Sequence, residues 1–225
     1  MRTLGGIAYV TLLVLGLMLV YSAYAATGPY IEGKHYQKLP TTVAENVLVK
    51  DLMKEADGKV QVLEFFSYGC SWCFKLDPYM EKWRKTEPDS VSFQRIPVEF
   101  HPTWATLTKA YYTQVDLNAV DKVHTALFDA IQTERIKDSS ENSLQKFFAE
   151  LGIPEKDFSK TFSSFDVTRK QKWANSIAQA YRVTAVPCVI VQGPKGIYIT
   201  AVKFAGSEAE LVKVVSELVK MQQAK

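Results

Sequence analysis

A chain of 225 residues with 47% hydrophobic residues can bury one good core, or one core with a satellite. Its net charge of +3 and scattered lysines leave no basic footprint for nucleic acid or an anionic membrane surface. Three cysteines are too few for a disulfide-stapled scaffold, so partners must be sought in a site rather than in bulk composition.

Residues 1–25 stand apart. Arg2 precedes an apolar run from Leu4 to Val20, followed by Ser22-Ala23-Tyr24-Ala25-Ala26. A basic start, an apolar middle and an Ala23-x-Ala25 arrangement predict a secretory signal cleaved after Ala25. The run also approaches bilayer-spanning length, which makes a retained anchor the alternative. Both place the folded part outside the cytoplasm, in an oxidising compartment.

Residues 26–59 are mixed, with a short strand expected around His35 to Leu39 and helical turns near Val47 to Ala56, closed by Gly58. Val60 to Phe66 is apolar on both faces and reads as a central, buried strand. Ser67-Tyr68-Gly69 makes a turn, and Cys70 to about Lys85 has helical spacing, with Leu76, Met80 and Trp83 on one side. A second strand is expected from Val91 to Val98. From Pro102 to about Trp173 only helical periods occur. Asn142 with Gln145 has capping-box spacing ahead of one apolar stripe, Pro154 suits the start of a further helix, and Asp166 is the expected cap of a long helix ending near Tyr181. Strand signals return at Cys188 to Val191 and Ile197 to Phe204, around a Gly193-Pro194-Lys195-Gly196 hairpin turn. Ser207 with Glu210 caps a final helix. The order predicts an α/β domain, in two parts at residues 26–102 and 174–225, interrupted by an all-helical insertion at 103–173.

Cys70 and Cys73 are separated by Ser71 and Trp72 in the stretch "FFSYGCSWCFKL". In a strand–turn–helix setting Cys70 falls at the helix start, where free backbone N–H groups and the helix dipole favour a thiolate. Its pKa should drop below the free value of about 8.5. Zinc is the first alternative, but Cys188, His35, His101 and His124 supply no second paired spacing, so no metal is expected. An inert structural disulfide is the second; closing so small a loop constrains the unfolded chain little. Redox exchange is the stronger reading. Glu64 sits within the apolar strand, six residues before Cys70. It reads either as a salt-bridged glutamate or as a buried acid that moves protons for Cys73. Pro187, in Ala185-Val186-Pro187-Cys188, enters the late strand where a ladder donor is needed. It is either a plain trans strand-start proline or a cis proline that leaves the Val186 backbone free to pair with an extended peptide.

The "VLEFFSYGCSWC" block, the downstream "AVPC" block, the helical segment between them and "YIEGKHYQKL" at residues 30–39 together resemble the DsbA-type periplasmic thiol:disulfide oxidoreductases of the thioredoxin superfamily, over residues 28–225. The resemblance implies a thioredoxin fold with an inserted helical domain. It implies Cys70 as exposed nucleophile, Cys73 as buried partner, Glu64 as buried acid, a cis Pro187 and a peptide contact at Val186. No cofactor is implied beyond the Cys70–Cys73 disulfide. Substrates would be reduced exported proteins, reoxidation would come from a quinone-linked membrane partner, and the compartment would be the periplasm.

Three departures qualify this. Ser71-Trp72 stands where the family usually has Pro-His, so the Cys70 thiolate lacks a cationic neighbour and a less oxidising protein is expected. Trp72 is either a substrate-docking surface or a ring packed on its own loop. Cys188 is unpaired in number and is expected to be a small buried hydrophobe. A retained anchor would confine the protein to the membrane surface. An isomerase or reductase held reduced by a partner remains open as the alternative function, as does a peptide-binding chaperone. Oligomeric state is open too, with Trp104/Tyr111 or the Trp72 surface as association sites.

Overall fold

The computed structural model describes residues 29–86 and 88–224, so the expected signal or anchor at 1–25 lies outside the described residues. Five strands form one sheet. β1 (Gln37–Lys38), β2 (Val60–Phe66), β3 (Val91–Pro97), β4 (Cys188–Gly193) and β5 (Gly196–Ala201) lie in the order β1-β5-β4-β2-β3. β2 and β3 run parallel, and the other neighbouring pairs are antiparallel. β2 is central, and all seven of its residues are buried. Both faces are covered, which is why its sequence lacks the alternation of a half-solvated strand.

α1 (Thr41–Ala44) and α2 (Val47–Glu55) precede β2, and α3 (Ser71–Arg84) follows it. α4 (Trp104–Asp116), α5 (Val120–Gln132), α6 (Glu141–Glu150), α7 (Glu155–Phe162) and α8 (Phe165–Ala180) form the helical segment between β3 and β4. The short α9 (Val202–Ala205) and α10 (Glu208–Gln223) close the chain. On one sheet face, Val62, Val189 and Val191 meet Leu76 and Met80 of α3 and Leu211 and Leu218 of α10. On the other, Leu63, Phe65 and Ile190 join the core formed with the helical segment. Each fully buried Leu, Val or Phe side chain contributes about 1.5–3 kcal/mol, so the two cores fix how the sheet meets its helices.

Several expectations change in detail. The cap of α6 is Ser140, whose side chain accepts from the Ser143 N–H, rather than Asn142. The cap of α8 is Ser164, accepting from the Val167 N–H, rather than Asp166. β5 ends at Ala201, and Val202 to Ala205 turns into α9. Ser207 caps α10 by accepting from the Glu210 N–H, as its spacing indicates. α8 is continuous through residue 173 and packs on both α4 and α2, so the boundary expected there falls within a helix. Tyr111 is buried beside Phe66, Tyr112 and His124, which removes it as an association surface.

Candidate active site

β2 delivers the chain to the front edge of the sheet, where Ser67-Tyr68-Gly69 turns it into α3. The turn is tied locally, with Gly69 N–H donating to Ser67 Oγ at 3.2 Å and Cys70 N–H to the Ser67 carbonyl at 3.0 Å. Gly69 is required by close approach. A Cβ there would lie 2.3 Å from Nε1 of Trp104, whose indole rests on the turn.

Cys70 is the N-cap of α3, only 9% exposed rather than the openly exposed sulfur that the resemblance implied, and its sulfur accepts the Cys73 N–H at 3.3 Å. The sulfur thus fills the role that an oxygen fills in Ser or Asp caps, satisfying an orphan donor at the positive end of the helix. The Cys73 thiol and the backbone N–H groups of Cys73 and Trp72 bond to Cys70 and lower its pKa to about 7, against opposition from burial. Cys73 is fully buried, and burial together with the neighbouring Cys70 sulfur holds its thiol well above the ordinary range. One CxxC therefore contains an easily ionised sulfur and a reluctant one.

The late loop comes up beside this pair. The Val186–Pro187 bond is cis, as the resemblance implied. The Cys70 thiol donates to the Val186 carbonyl at 3.6 Å, so that part of the Val186 backbone is engaged while Cys70 is protonated rather than wholly free. Trp72, Val186 and Pro187 line a groove of about 570 Å³. Trp72 is 55% exposed, with Lys75 Nζ from its own helix 4.3 Å above its ring, and it also forms an open wall of the groove, so both readings of its position hold in part. Ser71 is exposed at the first turn of α3. Cys188 is 3% exposed, opposite Phe65 and Ala201 in the sheet, and burial pushes its thiol up to about 12.

Glu64 combines both readings of its sequence position. It is 1% exposed, and its Oε2 accepts from Arg95 Nε at 2.9 Å. The two are cross-strand neighbours in the β2–β3 register. Desolvation lifts the Glu64 pKa to about 7 despite the attraction of Arg95, with Asp77 adding to the rise. Arg95 also donates to Glu81 Oε1 at 2.8 Å and lies 3.6 Å from Asp77 Oδ1.

Sequence reasoning missed this cluster. Arg95, Asp77 and Glu81 surround Glu64, and His124 and Tyr68 extend the network. Gln114 Nε2 donates to the Tyr68 hydroxyl at 2.7 Å, and that hydroxyl lies 2.7 Å from His124 Nδ1. Burial, reinforced by Arg95, lowers the His124 pKa to about 4, so the ring is neutral and has one donor and one acceptor nitrogen. Nε2 is 3.1 Å from Asp77 Oδ1, within range but off the hydrogen-bond line. The available signal was Arg95 in the second expected strand, since a cation buried there needs a carboxylate and Glu64 is the one acid on β2.

Asp77, Glu81 and His124 bring three donor atoms within 4.8 Å of one another, as a metal site would. Arg95 already places a guanidinium against both carboxylates, and a second cation would face its repulsion. The network suits an ion-paired support for the active-site turn better than a metal centre.

A CxxC on a helix N-terminus, just past the C-terminal end of a central strand and beside a cis-proline loop, is the arrangement of a thioredoxin-fold protein that interconverts dithiols and disulfides. The profile of the DSBA-like thioredoxin domain matches residues 61–211. The chain is 32% identical over 190 residues to the thiol:disulfide interchange protein DsbA of Azotobacter vinelandii, covering 80% of this chain and 85% of that protein. It is 33% identical over 203 residues to the DsbA of Pseudomonas syringae pv. tomato, covering 90% and 89%. The crystal structure of Pseudomonas aeruginosa DsbA superposes with a TM-score of 0.74 at 29% identity, covering 86% of this chain and 95% of that one. The chain belongs to the DsbA family of protein disulfide oxidoreductases, and the expected thioredoxin fold with a helical insertion is borne out.

Proposed function

We propose that the protein oxidises exported proteins in the periplasm, with Cys70 and Cys73 as its redox pair. The observation that carries this is the cap geometry of Cys70, which favours its thiolate. Stabilising that thiolate stabilises the dithiol form and makes the disulfide form the oxidant, by about 30 mV per 1.4 kcal/mol.

A client thiolate attacks Cys70 Sγ of the enzyme disulfide. The Cys70–Cys73 bond breaks, a client–Cys70 bond forms, and Cys73 departs with the electron pair. Cys73 is a poor leaving group unless it is protonated as it goes. Glu64, whose charge contributes to the raised Cys73 pKa and whose own pKa is about 7, is the proton carrier. The client's second thiolate then attacks its own mixed-disulfide sulfur and expels Cys70, whose low pKa makes it a fast leaving group. Two electrons and two protons pass to the enzyme, which ends as the dithiol. Val186 and Pro187 hold the client chain during exchange, and Ser71 and Trp72 tune Cys70. No cofactor takes part besides the disulfide itself, and a quinone-linked membrane thiol oxidase restores it.

The test is the redox state of Cys70 and Cys73 in cells, trapped by acid and alkylation. A mostly oxidised pair supports the oxidase; a mostly reduced pair assigns the protein to isomerisation or reduction. Cys70→Ser separates both from a peptide-binding chaperone, which would keep its activity.

A further inference from the structure

The groove beside the active site carries charge of one sign. Apolar side chains including Leu39, Ile199 and Phe204 line it, while Trp72, Val186 and Pro187 wall it near the cysteines. Its charged lining groups among the described residues are Arg182 and Lys203, both cationic and both exposed. Arg182 Nη2 donates to Thr42 Oγ1 at 3.1 Å, and Lys203 Nζ stands 4.8 Å from the Phe204 ring centroid. Neither has a carboxylate partner among the described residues, whereas the buried Arg95 touches several. Lys75, over the Trp72 ring, adds a third positive charge at the cysteine end.

We propose that this groove selects reduced client segments in which an apolar residue adjoins the reacting cysteine and acidic residues flank it. The inference rests on the oxidoreductase reading of Cys70 given above. An apolar residue beside the cysteine covers the groove floor and excludes water. Carboxylates on the flanks then reach Arg182, whose guanidinium can engage them in bidentate fashion, and Lys203, which acts as a point charge. A client with lysines at those places meets like charge. Exposed pairs of this kind act mainly on encounter and discrimination, so the preference is modest and salt-sensitive.

The test uses the full chain, oxidised at Cys70–Cys73, and rapid-quench oxidation of three dithiol peptides. These share one apolar residue beside the first cysteine and carry Asp, Ser or Lys flanks. An acidic flank also raises the pKa of the client's own thiol, but this acts equally on every enzyme variant. The readout is therefore the ratio of rates for the Asp and Lys peptides, compared between enzymes. In Arg182→Glu/Lys203→Glu this ratio should fall about tenfold from the native value at ionic strength near 0.02 M, and the native ratio should collapse toward the variant's near 0.5 M. Arg182→Gln/Lys203→Gln should fall between. An unchanged ratio in the variants, or a native ratio insensitive to salt, overturns the proposal while leaving the oxidoreductase reading intact. Failure of the native enzyme to oxidise any of the three overturns both.

Discussion

Glu64→Gln should change how stability depends on pH more than it changes stability itself. Glu64 is fully buried, and its pKa rises from 4.5 to about 7 because desolvation outweighs the pull of Arg95. Below pH 4.5 the carboxyl is protonated in both folded and unfolded chains. Between 4.5 and about 7 the unfolded chain releases this proton while the folded one holds it, so rising pH favours unfolding. The stability contributed by the neutral acid is thus complete below the unfolded pKa and lost as pH passes the folded one. A rise of that size corresponds to about 3 kcal/mol. Glutamine has nearly the same shape, keeps an acceptor for Arg95, and does not titrate. Other titrating groups, His124 among them, cancel in the comparison. Urea unfolding of the reduced native protein and the variant, at intervals from pH 4.5 to 8.5, should show the variant gaining about 3 kcal/mol on the native protein across that range. A constant difference, or a gain by the native protein at high pH, would refute the claim that burial keeps this acid protonated.

Trp72→His should raise the reduction potential, by about 30 mV for each pH unit by which a cationic ring lowers the Cys70 pKa, measured by equilibration with glutathione. No rise would mean that residue 72 does not tune Cys70. Gly69→Ala should cost about 1–3 kcal/mol and lower the melting temperature, because its Cβ would press into the Trp104 indole; an unchanged melting curve would show that the indole moves freely. Alkylation of the reduced native protein should modify Cys70 and spare Cys188 until denaturant is added, and rapid labelling of Cys188 would contradict its place in the core.

The strongly periodic and doubly buried parts of the fold were legible in the sequence. Val60 to Phe66 matches β2 residue for residue, because a strand covered on both faces is mostly apolar, with Gln61 and Glu64 as the exceptions here. The Cys70 helix and the α10 cap were equally readable, since both depend on local spacing. Caps were misplaced where two polar residues competed. Ser140 and Ser164 won over Asn142 and Asp166 because the cap lies one residue before the helix begins, and apolar stripes do not fix that residue. Glu64 was visible as an anomaly, yet its partner was not, because pairing with Arg95 depends on the register of two strands 31 positions apart. The His124–Tyr68 contact was hidden for the same reason. It joins the helical segment to the active-site turn across 56 positions, and the sequence offers His124 only as a possible zinc ligand.

The most direct measurement is the ionisation of Cys70, followed through thiolate absorbance in the reduced protein, with Cys70→Ser identifying the signal. With the Cys73 thiol and the Cys73 and Trp72 N–H groups bonded to Cys70, a midpoint near pH 7 is expected, with Cys73 still protonated well beyond it. A midpoint at or above the free-cysteine value of about 8.5 would contradict the account at its root.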